Sequence, residues 1–407
     1  MIKTMNREND TDRVIVLLKR YGYHSQSFNI LRNDKSYFYS SSGIEGVIAY
    51  VVKANVAMVA GDPVCDPSNI HSFVTEFRMF CKERKLLCCF QSITERCKDI
   101  LEDMGFGMIK IGEEPIFDLE KFSLEGSKFR GLRKNINQAK KQGLSVVEYH
   151  PLLERRPEWE KDMEELSAIW KKFKGSGEFS FLIGEPALDN PKDRKYFLAL
   201  LNNKVEAFVV CTPVYTRNGI YFDVMHRQEK TLNGMPQLLF TESFRIIKEQ
   251  GYTMATLGTA PLSYQHTTDS EQSRIIKTAL KLAFNRLGHF HRFKPLYKFK
   301  RQFGPTSWEG RYLAFSPKLF NPVILYALLK VYDPTSVTKK LLYQLNSAWK
   351  GINKIKDESI GFIGSTSGSV IKGIKGTSHK AVTTTKKTLH KIPNKIKSKK
   401  HQTKKEE

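Results

Sequence analysis

Apolar residues recur at helical spacing along some stretches and run together in others. From Asn69 to Arg84, Phe73, Phe77 and Phe80 share one face, which predicts an amphipathic helix. Shorter helices are expected over Asp12–Tyr21, Cys97–Met104 (with Gly105 as its stop) and Met163–Lys172. The turn Asn233-Gly234-Met235-Pro236 starts another helix. Pro suits a first helical turn, Leu239, Phe240, Phe244 and Ile247 supply the buried face, and Gly251 ends it. Arg274–Leu287 has the same character, closed by Gly288. Strands are predicted at Gly46–Val52, Val56–Ala60, Leu86–Phe90, Val205–Tyr215, Gly219–Arg227 and Met254–Leu257. The pattern gives an α/β (α+β) chain with two lobes of similar size, 1–145 and 146–316, and a distinct segment 317–407. Residues 317–350 read as helical but broken by Pro322 and Pro334. Residues 361–378 are rich in Gly, Ser and Thr, and 379–407 read as a disordered Lys-rich tail.

Charge sharpens this picture. The net formal charge is +24, and residues 337–407 hold 17 Lys or Arg against 4 Asp or Glu. Such an excess points to a polyanionic partner, nucleic acid or an anionic lipid surface, where a plain solubilising tail is the alternative. Ser127–Gly143 is a basic helix carrying Lys128, Arg130, Arg133, Lys134, Lys140 and Lys141, suited to bridging two lobes and touching phosphates or simply to facing solvent. The six cysteines form no Cys-x-x-Cys pair and have no His cluster beside them, so no metal is expected, and their apolar surroundings suit a reducing cytosol. The polar N-terminus lacks the apolar core of a signal peptide. The longest apolar stretch, Leu319–Tyr332, is too short and too broken to span a bilayer. The expected location is the cytoplasm, peripheral on the inner face of the membrane.

Several runs resemble the cytosolic catalytic domain of the phosphatidylglycerol lysyltransferase (multiple peptide resistance factor) family. They are Gly61-Asp62-Pro63-Val64; Gly105-Phe106 with Lys110-Ile111-Gly112-Glu113-Glu114 and Asp118-Leu119; Leu132-Arg133 through Gly143; Asp223-Val224-Met225 with Asn233-Gly234-Met235; Leu257 through Ser263; and Phe299-Lys300 through Trp308-Glu309-Gly310-Arg311-Tyr312-Leu313-Ala314. They keep their order over about 60–315, and the joint match is specific where each alone is weak. Three departures stand out. The family's preceding transmembrane helices do not appear in these 407 residues, His226 replaces the Arg of the "D-L-M-R" run (Arg227 follows it), and the basic tail lies outside the pattern.

The resemblance implies two fused GNAT-like acyltransferase lobes, the second carrying the chemistry. It also implies transfer of an amino acid, lysine foremost, from aminoacyl-tRNA to a phosphatidylglycerol-type membrane lipid. The co-substrate is aminoacyl-tRNA, and no cofactor or metal is called for. The catalytic residues it marks are Asp223, His226 and Arg227. In a regular strand, Tyr221, Asp223, Met225 and Arg227 face one way and His226 the other, so Asp223 and His226 act together only if the strand twists or bulges. The substrate-binding residues it marks are Asn233, Gly234, Met235, Lys298, Lys300, Arg301, Trp308, Glu309 and Arg311. Basic residues interleaved with Phe293, Tyr297, Phe299 and Phe303 suit phosphate contact and stacking, with a solvated edge strand as the alternative. Glu113 and Glu114 read as architectural or as recognising a cationic aminoacyl group. Rival functions are transfer to a peptidoglycan precursor or small amine, and a non-catalytic lipid- or RNA-binding protein. An acetyl-CoA enzyme is disfavoured, because Gln228–Pro236 holds a single glycine where a pyrophosphate-binding turn needs more.

Overall fold

The computed structural model describes residues 7–174, 188, 191–228, 230–261, 263, 293–319 and 321–332. The helix expected at Arg274–Leu287 and the whole basic tail lie outside the described residues.

The helices are α1 (Arg7–Tyr21), α2 (Ile70–Glu83), α3 (Glu95–Asp103), α4 (Arg130–Lys141), α5 (Pro157–Lys174), α6 (Met235–Glu249), α7 (Phe293–Arg301) and α8 (Pro322–Tyr332). The first strands are β1 (Ser36–Phe38), β2 (Gly46–Lys53), β3 (Val56–Ala60), β4 (Val64–Cys65), β5 (Leu87–Ile93) and β6 (Gly107–Asp118). They continue with β7 (Ser145–Tyr149), β8 (Lys195–Leu201), β9 (Lys204–Val214), β10 (Gly219–Arg227), β11 (Met254–Thr256), β12 (Ala260–Pro261) and β13 (Ser307–Ser316). One sheet runs in the order β1-β2-β3-β5-β13-β6-β11-β10-β9-β8-β7, with β4 against β2 and β12 against β6.

Three apolar layers clothe this sheet. On the early strands, Phe73, Phe77 and Cys81 of α2 pack with Ile48, Ala57, Val59 and Phe90. On the later strands, Leu132 and Ile136 of α4 and Leu239, Phe240 and Phe244 of α6 cover Phe197, Val209, Ile220 and Phe222. Met163 and Leu166 of α5 cover Leu198, Phe208 and Val210, which lie on the alternate positions of the same strands. The helix periodicity of α2 and α6 therefore matches the face each buries.

The seam between the halves is β6. Its middle carries Lys110, Gly112, two glutamates and Pro115, yet it is the longest of the described strands, and those glutamates are among its buried residues. It pairs with β13 along most of its length, and its end pairs with β11. The chain thus returns after residue 306 to insert β13 between β5 and β6, far from any sheet edge, so the solvated edge strand is not what this stretch forms. The preceding basic stretch is helix α7.

Candidate active site

The site starts from an irregularity in β10. Its ladder with β9 pairs Phe222 with Cys211 and then Val224 with Val210, leaving Asp223 as an extra residue in a β-bulge. A bulge shifts the side-chain alternation beyond it. Val224 and His226 move to the α5 side, opposite Val210 and Phe208, while Met225 packs with the α6-side core. The regular-strand expectation that Met225 and Arg227 share the face of Asp223 is thereby corrected, and His226 joins the face of Tyr221. On its other side β10 runs parallel to β11 for three registers, ending at Tyr221 and Thr256. Asp223 lies two residues past the point where these strands part. The chain leaves β11 through Gly258, at φ +73°, where a Cβ would stand 2.7 Å from the Tyr221 ring.

The segment after α1 crosses to this point from the first half. The Gly22 carbonyl accepts from the backbone N–H and hydroxyl of Thr216. The ring of Phe28 lies 6.5 Å from that of Tyr215. Ser25 Oγ donates to Glu114 Oε2 at 2.9 Å, and Asn29 Nδ2 donates to Asp223 Oδ2 at 2.8 Å. His24 uses both ring nitrogens, Nδ1 accepting from the Gln26 N–H and Nε2 lying 2.5 Å from the Ser92 carbonyl. Burial holds its pKa below the ordinary histidine value, and the neutral ring fits both contacts.

Beneath the site lies a buried ionic network. Arg311 Nε and Nη2 reach Glu114 Oε2 at 2.8 and 2.7 Å, and Thr256 Oγ1 donates to Glu114 Oε1 at 2.7 Å. Burial alone would raise the Glu114 carboxyl, but Arg311 and the surrounding donors hold it below the ordinary range. Glu309 bridges Arg311 to Arg217, which grips it in two parallel bonds at 2.7 and 3.0 Å. Lys110 pairs with Glu113 at 2.7 Å. Lys300 points inward from α7, with Nζ on the carbonyls of Gly258 and Thr259 at 2.7 and 2.9 Å, and burial lowers its pKa to about 7.

Known proteins share this architecture. The sequence profile of the family described as "Phosphatidylglycerol lysyltransferase, C-terminal" matches residues 15–315, from α1 to the end of β13. The chain belongs to this family. Its fold is the mixed α/β fold of the phosphatidylglycerol lysyltransferase C-terminal domain. A phosphatidylglycerol lysyltransferase of Bacillus subtilis is 27% identical over 333 residues, 81% of this chain and 38% of that protein. One from Staphylococcus aureus is 24% identical over 302 residues, 74% of this chain and 35% of that protein. The solved structure of L-PGS from Bacillus licheniformis superposes with a TM-score of 0.65 at 25% identity, covering 79% of this chain and 96% of that one. The chain thus spans somewhat over a third of the length of these curated relatives.

The marked site residues fall in three places. Asp223 is half-buried at the bulge, whereas His226 is fully buried, with Nδ1 3.0 Å from Ser167 Oγ of α5 and its ring edge-on to Phe208. Arg227 is exposed and donates to Thr231 Oγ1 at 3.0 Å, turned away from Asp223. Asn233, Gly234 and Met235 form the start of α6 against α4. Asn233 reaches Gln138 at 3.2 Å, Met235 is core, and a Cβ on Gly234 would stand 2.0 Å from the Asn135 carbonyl oxygen. In the third group, Arg311 and Glu309 are spent on the network, and Trp308 packs at 4.9 Å on Tyr297. Lys300 is enclosed, and Lys298 and Arg301 are exposed on the outside of α7. The lysyltransferase-like motifs do not mark Ser25, Gln26 or Asn29. Polar residues in a short segment carry no periodicity, and their partners lie far away in sequence. Among the described residues, no three His, Cys, Asp or Glu are placed to hold a metal ion.

Proposed function

We propose that this chain is an aminoacyltransferase that moves an aminoacyl group, lysyl foremost, from aminoacyl-tRNA to a hydroxyl of a phosphatidylglycerol-type lipid. The observation that carries the reading is Asp223, set by a β-bulge at the mouth where β10 and β11 part, in the run that matches the family motif. Charged tRNA is an activated ester. The lipid oxygen attacks its carbonyl carbon, the new ester bond forms as the bond to the terminal ribose oxygen breaks, and the acceptor proton ends on that ribose oxygen. No ATP enters the balance. A carboxylate at Asp223 orients the acceptor hydroxyl or the cationic α-amine of the aminoacyl group. His226, enclosed behind it, supports the strand end, and Arg227 faces the tRNA side.

Exposed cations favour RNA as the donor carrier. Lys128, Arg130, Lys134 and Lys141 are exposed on or beside α4, and Lys298 and Arg301 on α7. The two helices adjoin where Gly304 meets Phe129, so these charges form one surface suited to a phosphate backbone. No described helix is long and apolar enough to cross a membrane, and the basic tail is the proposed contact with the inner leaflet.

The test is incubation of the purified protein with charged tRNA and phosphatidylglycerol vesicles, with products identified by mass spectrometry. Aminoacylated lipid should form, vanish with ribonuclease and be indifferent to acetyl-CoA. Acetylation of an acceptor at an enzymatic rate would overturn the reading.

A further inference from the structure

We infer that Asn29 is a positioning residue for this reaction, through which the buried 24–29 segment of the first half of the chain orients the Asp223 carboxylate in the second. The inference rests on Asp223 acting as proposed above.

Asp223 is the extra residue of the bulge, outside the register that pairs Phe222 with Cys211 and Val224 with Val210. The direction of its carboxylate then depends on what holds it from the side. One hold is Asn29 Nδ2, 2.8 Å from Oδ2, on a side chain only 2% exposed. Tyr221 is buried beside this carboxylate, and burial and the Asp223 charge push its phenol pKa up. Asn29 belongs to a short segment that is itself pinned. Gln26 Oε1 accepts from Ser92 Oγ at 3.3 Å. Ser25 is bonded to Glu114 of the ionic network, and His24 to the Ser92 carbonyl. An amide N–H fixes one carboxylate oxygen without cancelling its charge, which leaves the anion able to orient a hydroxyl or an ammonium. Asn29 touches the carboxylate and not the reacting atoms, so its effect passes through Asp223.

The experiment uses the full chain with the aminoacyl-tRNA on which the wild type is most active, and phosphatidylglycerol vesicles. Four variants are compared: Asn29→Ala, Asn29→Asp, Asp223→Asn and Asn29→Ala/Asp223→Asn. Asn29→Asp keeps the side-chain shape and replaces the donor with a like charge, so it reads the bond even if the alanine loosens packing. Circular dichroism and melting verify the fold. Both Asn29 variants should lower kcat about 100-fold, with KM for both substrates within about threefold of wild type. In the Asp223→Asn background, Asn29→Ala should change the residual rate by less than about threefold, because the group it positions is already gone. Near-normal kcat in Asn29→Asp, or losses that multiply in the double variant, would sink the inference and leave Asp223 standing. Near-normal turnover in Asp223→Asn would instead remove the functional assignment and this inference with it.

Discussion

The guanidinium of Arg311 and the carboxylate of Glu114 meet at 2.7 Å with neither side chain exposed to solvent at all. Glu114 lies in β6 and Arg311 in β13, so the pair crosslinks the strands at the seam of the sheet. Removing one partner leaves a buried charge without compensation. Arg311→Met should therefore destabilise the protein by about 3–5 kcal/mol. Glu114 is held below its ordinary pKa by Arg311, so its contribution is present above the unfolded carboxyl pKa and is lost as pH falls through the lower folded value. Denaturant titrations at neutral and acidic pH measure both effects.

Asp223→Asn should cut turnover about 10²- to 10⁴-fold while the melting temperature stays near that of wild type. Arg227→Ala, exposed and turned away, should affect tRNA affinity more than kcat. His226→Ala removes a fully buried ring and should lower stability first. Steady-state kinetics paired with thermal melts separate the three.

Lys300 gives a pH signature. Its pKa falls from 10.5 to about 7 on burial, so between those values the unfolded chain binds more protons than the folded one. Stability from this group therefore rises with pH across that window. Relative to Lys300→Met, the wild type should gain on the order of 2 kcal/mol between about pH 7 and about pH 9. Parallel stability curves for the two proteins that do not diverge with pH would refute this.

Gly234→Ala should cost about 2–4 kcal/mol. The residue combines φ +85° with a backbone contact to Asn135 that leaves no room for a Cβ. Its neighbour Asn233, exposed and bonded sideways to Gln138, should tolerate alanine in the same unfolding assay.

Deleting residues 337–407 should abolish co-sedimentation with anionic vesicles and leave most tRNA binding intact. The segment 379–407 alone holds ten lysines, each worth about 1 kcal/mol near an anionic leaflet before screening. Unchanged sedimentation of the truncated protein at matched salt would assign the membrane contact elsewhere.

Local pattern determined much of this protein by itself. Phenylalanines three and four residues apart specify α2, an apolar run specifies β9, and Gly234-Met235-Pro236 specifies the start of α6, because each signal is complete within a few residues. The ordered motifs from Gly61 to Ala314 were likewise enough to name the family. Tertiary structure decided the rest. Lys110, Glu113, Glu114 and Pro115 look unlike a central strand, and they become one because Arg311 and Thr256, both distant in sequence, satisfy the charge of Glu114. Sequence alternation placed Asp223 with Met225 and Arg227. A bulge is defined by two residues opposing one on another strand, so no single-strand pattern reveals it. Asn29 reaches Asp223 across 194 positions, a contact that exists only once both halves share one sheet.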